Sequence, residues 1–120
     1  MKKLFVFGNE YLKGDSFALQ VADHLKNECE TIHCRSPEDL FDVDDEEITI
    51  LDIVKGLEKP VLITDIDKIK TRSLMSLHDF DLGFFLKLMK KMGLKKIVRI
   101  LGVPESGNSL NIANGVRPWI

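Results

Sequence analysis

The chain has 120 residues, enough for one compact domain with one core. Its net charge of −2 gives no electrostatic pull toward nucleic acid or acidic lipid. No apolar run approaches the roughly 20 residues of a membrane helix, and two cysteines are too few for the disulfide framework usual in a secreted chain of this size.

The N-terminus, Met1-Lys2-Lys3-Leu4-Phe5-Val6-Phe7-Gly8, has a basic start but only a short apolar run and no small-residue cleavage site. It reads as a first strand over 3–7 in a cytoplasmic protein. The strand is apolar on both faces, which suits a central parallel strand. The loop from Gly8 to Asp15 follows. Phe17, Ala18, Val21, Ala22 and Leu25 then fall at helical spacing, which predicts a helix over about 15–28 with Asp15 at or near its N-cap. In an open α/β sheet this loop lies at the carboxyl end of the strand, where such folds place their sites. Asp15 therefore has two readings, a capping residue or a site residue. His24 reads as a boundary or surface residue.

A short strand is predicted near 30–34. Cys29 and Cys34 with His33 between them could form a metal clip, but four ligands at finger-like spacing are absent, so the thiols read as structural. Ser36-Pro37 marks a turn, and the acidic run Asp42, Asp44, Asp45, Glu46, Glu47 reads as a solvated loop. Residues 48–53, Ile-Thr-Ile-Leu-Asp-Ile, form a strongly apolar strand in which Asp52 is anomalous. A carboxylate there must lie at the strand's carboxyl end or be paired, because burying it alone is costly. Gly56 and Pro60 frame a turn, Val61–Thr64 is an edge or hairpin strand, and Asp65 and Asp67 belong to a solvated loop. His78 precedes a helix over about 80–92, whose Leu82, Phe85, Leu86 and Met89 make a core stripe ended by Gly93. The last strand, 97–103, stops at Pro104. Residues 106–120 show no helical period and read as an irregular tail beyond a single domain of residues 1–105.

This order predicts an α/β fold: three layers, with a mainly parallel twisted sheet of about five strands and helices on both faces. Asp15, Asp52 and His78 each follow or close a strand, and such positions can converge at the carboxyl edge. Two carboxylates and an imidazole suit a divalent ion such as zinc or nickel. Separate structural roles for the three remain the competing reading. Other chemistries lack their signatures. The loop after the first strand has too few glycines for a dinucleotide fingerprint, and Gly14-Asp15 stands where a phosphate-binding loop has Gly-Lys. No Gly-x-Ser-x-Gly elbow is present, and a Cys34–His78 nucleophile pair has no flanking pattern behind it. Lys87, Lys90, Lys91, Lys95 and Lys96 have no interleaved aromatic row and read as a solvated helix face.

Three segments together resemble the hydrogenase maturation endopeptidases, which remove a C-terminal extension from the large subunit of nickel–iron hydrogenases. Gly8-Asn9-Glu10-Tyr11-Leu12-Lys13-Gly14-Asp15 is similar to the family's Gly-Asn-x-Leu-x-Gly-Asp opening, with Asp15 on its first acidic ligand. Ile50-Leu51-Asp52-Ile53 is similar to its strand ending in Val-Asp-Ala, with Asp52 on the second ligand. Ser76-Leu77-His78 is similar to its Thr/Ser-x-His segment, with His78 on the third. Leu101-Gly102-Val103-Pro104 is similar to its closing strand. The resemblance spans about residues 3–105. It departs at Ser16 and Ala18, where glycine is frequent, at Arg35-Ser36-Pro37, and in the apparent lack of the family's last helix.

The resemblance implies a monomeric protease whose Asp15, Asp52 and His78 bind the nickel already installed in the hydrogenase large-subunit precursor, with zinc or cadmium as possible surrogates. Glu10 and Asp79 are then candidates for supporting the ligands or moving a proton. A non-catalytic relic of the same fold, holding a hydrogenase subunit or nickel, is the alternative.

Overall fold

The structure is a computed structural model that describes residues 2–8, 13–35, 37–40, 43–64, 75–76 and 97–120. Its elements, in order, are β1 (Lys3–Phe7), α1 (Lys13–Asp23), β2 (Glu30–Cys34), a 3-10 turn (Pro37–Leu40), β3 (Glu47–Lys55), β4 (Val61–Ile63), β5 (Met75–Ser76), β6 (Ile97–Val103), α2 (Ser109–Val116) and a final 3-10 turn (Arg117–Trp119). Five strands make the sheet in the order β2-β1-β3-β6-β4, and the two-residue β5 pairs with the far end of β3. The pairs β1–β2, β1–β3 and β3–β6 are parallel. The edge strand β4 runs antiparallel to β6. The α/β fold with a mainly parallel five-stranded sheet is therefore the one predicted.

Side chains alternate between the two faces of a strand, and here both faces are apolar. On one face Leu4, Val6, Leu51, Ile53, Leu101 and Val103 are buried beneath Phe17, Ala18, Val21 and Leu25 of the first helical segment and Ile112, Ala113 and Val116 of α2. On the other, Phe5, Phe7, Ile48, Ile50, Val98 and Ile100 pack with Cys34 and Leu40. Both described α-helices thus lie on the first face. The helix predicted over 80–92, with its Gly93 cap, lies outside the described residues.

Boundaries of β3 and α1 differ from the sequence expectation; β3 runs on to Lys55, so Asp52 lies within the strand instead of closing it. The α-helix of α1 starts two residues earlier, at Lys13, and ends at Asp23, with Leu25 buried in the turn that follows. Asp15 is therefore near the cap, in the first helical turn, where an acid complements the helix dipole.

The larger correction concerns the C-terminus. Residues 106–120 are not an irregular tail, because Ser109–Val116 form α2. Its sequence, with Asn111, Asn114 and Gly115, has low helix propensity, which hides it from a periodicity reading. Tertiary burial and capping override that propensity. Ile112, Ala113 and Val116 are buried, and the Asn108 side chain accepts a hydrogen bond from the Asn111 N–H at 3.0 Å. Gly115 fits where a Cβ would come within 3.1 Å of the Pro60 ring. Arg117 then fastens the end of the helix, donating to the Glu28 carboxylate at 2.9 Å, to the His24 carbonyl at 3.1 Å and to Asn114. Arg99 donates to the Trp119 carbonyl.

Candidate functional site

The strand order locates the crevice. From β1 the chain passes through α1 to β2 on one side, then returns to place β3 on the other side of β1. The winding reverses between β1 and β3, and the carboxyl ends of these two strands form the switch point at which open α/β sheets bind ligands. The register Phe5↔Ile50, Val6↔Leu51 brings Phe7 level with Asp52. Gly8, just beyond β1, and Asp52, on β3, both belong to this edge.

Asp52 is fully buried, the one charged residue so buried among those described. It lies in step with Ile48 and Ile50, on the face away from α1 and α2. Its Oδ1 accepts a hydrogen bond from the Ile53 N–H at 2.9 Å. On the β6 side it is paired in register with Gly102. A Cβ on Gly102 would lie 2.9 Å from Val54 Cγ2 and 3.2 Å from Val61 Cγ2, so glycine is what lets the strands close together beside the acid.

The structure describes the other two predicted ligands only in part. Asp15 is described by its backbone, in the first turn of α1, which begins at the same edge. His78 lies outside the described residues, as do Glu10 and Asp79. Ser76, two residues before His78 in the sequence, pairs with Val54, two residues after Asp52. Among the described residues no three His, Cys, Asp or Glu side chains converge on one point.

Cys29, His33 and Cys34 do not form a metal clip: Cys29 packs in the core beneath α1 and α2, and Cys34 on the opposite face of the sheet. Both thiols are free and buried. Burial pushes Cys34 up from 9.0 to about 11, with a further rise from nearby Asp39. Burial, and then Glu28, also raise Cys29. A protonated thiol is a poor nucleophile and a poor ligand. The His33 ring hydrogen-bonds the Gly8 carbonyl through Nε2, a contact at the rim of the crevice that the sequence reading did not find. Its only sequence signal is a polar ring in a strand that ends beside β1.

A second concavity, of about 510 Å³, lies along α1 and is lined by Ser16, Leu19, Gln20, Asp23, His24 and Ser109. Within it His24 Nε2 lies 2.9 Å from Ser109 Oγ, and Asp23 pairs with Lys26 at 3.3 Å. No described helix is long and apolar enough to cross a membrane.

No family model matches the sequence, and no curated protein matches it significantly. Solved structures do match the fold. A hydrogenase 3 maturation protease superposes with a TM-score of 0.60 at 18% identity, over 87% of this chain and 73% of that one. An uncharacterized protein from Wolinella succinogenes gives 0.56 at 16% identity, over 84% and 71%. The endopeptidase HycI from Escherichia coli gives 0.55 at 16% identity, over 87% and 73%. At these identities the likeness is one of fold, and that fold is shared with a hydrogenase 3 maturation protease and an endopeptidase.

Proposed function

We propose that the chain is an endopeptidase that removes the C-terminal extension of a nickel–iron hydrogenase large-subunit precursor after nickel insertion, and that Asp15, Asp52 and His78 recognise the nickel. The carrying observation is Asp52: a fully buried carboxylate at the switch point of a sheet whose fold is similar to that of a hydrogenase 3 maturation protease and of the endopeptidase HycI. Helix α1 brings Asp15 to the same edge in sequence order. The β3–β5 pairing ends two residues short of His78. Two carboxylates and one imidazole are a donor set that fits nickel, and zinc or cadmium as stand-ins.

The ion is cargo of the precursor in this reading, so the three side chains act as a sensor of completed loading. Oxygen-rich sites hold softer divalent ions weakly, which suits a protein that must release its product. A bound divalent ion can polarise a carbonyl and acidify water. The chain's own part is to grip the loaded precursor and hold the peptide bond to be cut in a fixed place. Glu10 and Asp79 are placed in sequence to support the ligands or move a proton. The protein works as a monomer in the cytoplasm.

Because Ser109–Val116 form α2, the C-terminal segment does not argue for a non-catalytic relic. The test is processing of nickel-loaded precursor by the wild type and by Asp52→Asn and His78→Ala. The wild type should shorten the precursor and both variants should fail, while Asp52→Asn keeps its fold because the amide oxygen can still accept from Ile53. Processing by His78→Ala at the wild-type rate would remove that residue from the mechanism. Metal or precursor binding without cleavage by the wild type would establish the non-catalytic module instead.

A further inference from the structure

Strand β1 leaves the sheet through a peptide group whose orientation is set by β2. In a parallel ladder alternate residues turn both their N–H and C=O to the same neighbour. Lys2 does so toward β2, accepting from the Glu30 N–H at 2.8 Å. Gly8 is six residues further, so its carbonyl faces β2 as well. β2 itself ends at Cys34, level with Phe7. The His33 side chain reaches the exit of β1, its Nε2 bonded to the Gly8 oxygen. A carbonyl only accepts, so Nε2 must carry the proton, and the ring is held in one tautomer.

We propose that His33 is a positioning residue: by clamping the Gly8 carbonyl it fixes the plane of the peptide leaving β1, and so the direction in which the chain enters α1 and presents Asp15. Gly8 has no side chain to restrict the backbone at this exit, and the next described element begins at Lys13. A side-chain donor on its carbonyl removes that freedom. The hydrogen bond is independent of any activity; its consequence for metal binding rests on the proposed role of Asp15 and Asp52. Groups that orient ligands without touching the ion change affinity by about 10- to 100-fold when lost.

Three measurements test it. Imidazole nitrogen NMR of the wild type should show His33 as the Nε2–H tautomer; the Nδ1–H tautomer would overturn the clamp. Calorimetric titration with Ni²⁺ should show His33→Leu weakened by about tenfold, His33→Gln largely restored, and Asp52→Ala without binding. Wild-type affinity in His33→Leu, alongside loss in Asp52→Ala, overturns the positioning role while sparing the metal site. If the free wild type does not bind Ni²⁺, as a site that borrows its ion from the precursor allows, the clamp is judged on backbone amide shifts of Lys13–Asp15. These should move in His33→Leu and return in His33→Gln; unmoved shifts overturn it.

Discussion

Cys34 shows how burial decides the chemistry of a single side chain. Desolvation, with Asp39 adding to it, raises the thiol to about 11. At pH 8 the reactive thiolate is therefore about 100-fold scarcer than for a thiol at 9.0. Alkylation by iodoacetamide at pH 8 should be slower in the folded protein by at least about that factor and should reach the ordinary rate in urea. The stability effect has a definite sign. The folded value lies above the unfolded one, so the contribution is complete below pH 9 and is lost as pH rises toward 11. The urea midpoint should fall across that window, and it should fall less steeply in Cys34→Ala. A midpoint equally pH-dependent in both proteins would assign the alkaline loss elsewhere. Asp52 is the contrasting residue: an acid within Ile-Thr-Ile-Leu-Asp-Ile stands out from sequence alone because a buried charge must have a reason. His33 did not stand out. Its partner is a backbone carbonyl 25 residues away, and no spacing rule encodes that.

Strands and helices were legible to different degrees, for physical reasons. The strands over 3–7, 30–34 and 97–103 could be bounded because apolar runs end at Gly, at a turn or at Pro. Helix α2 could not, since its Asn and Gly content argues against a helix and only burial of Ile112 and Val116 argues for one. Close approach between elements was equally hidden. Gly102 reads as an ordinary glycine before a strand end, yet it sits where any Cβ would meet Val54 at 2.9 Å and Val61 at 3.2 Å. Both neighbours are β-branched and stiff at χ1, so they cannot swing aside cheaply. Gly102→Ala should cost about 1–3 kcal/mol by overpacking, measured by urea denaturation. Val54→Ala in the same chain should recover part of that cost, since residues in contact are not additive. Full additivity of the two substitutions would mean that the strands separate instead of the side chains colliding.

At the scale of the molecule, one core is closed by the last dozen residues of the chain. Leu4, Val6, Leu51, Ile53, Leu101 and Val103 share a cluster with Ile112, Ala113 and Val116, and Trp119 and Ile120 pack against it. Burying an aliphatic side chain contributes about 1.5–3 kcal/mol, so Ile112 and Val116 together supply about 3–6 kcal/mol. The total stability of a domain is only about 5–15 kcal/mol. Truncation after Glu105 would remove these side chains, and also the Arg117 contacts to Glu28 and His24 that hold α2 on α1. The truncated chain should therefore fail to show a cooperative thermal transition by circular dichroism and should expose apolar surface to a hydrophobic dye. Ile112→Ala in the full chain is the graded companion. It should fold, with stability lowered by about 2–5 kcal/mol. If the truncated chain melts at the full-length temperature, α2 rests on a core that is already complete without it. If the truncation unfolds while Ile112→Ala costs nothing, the closure comes from the Arg117 contacts and not from apolar burial.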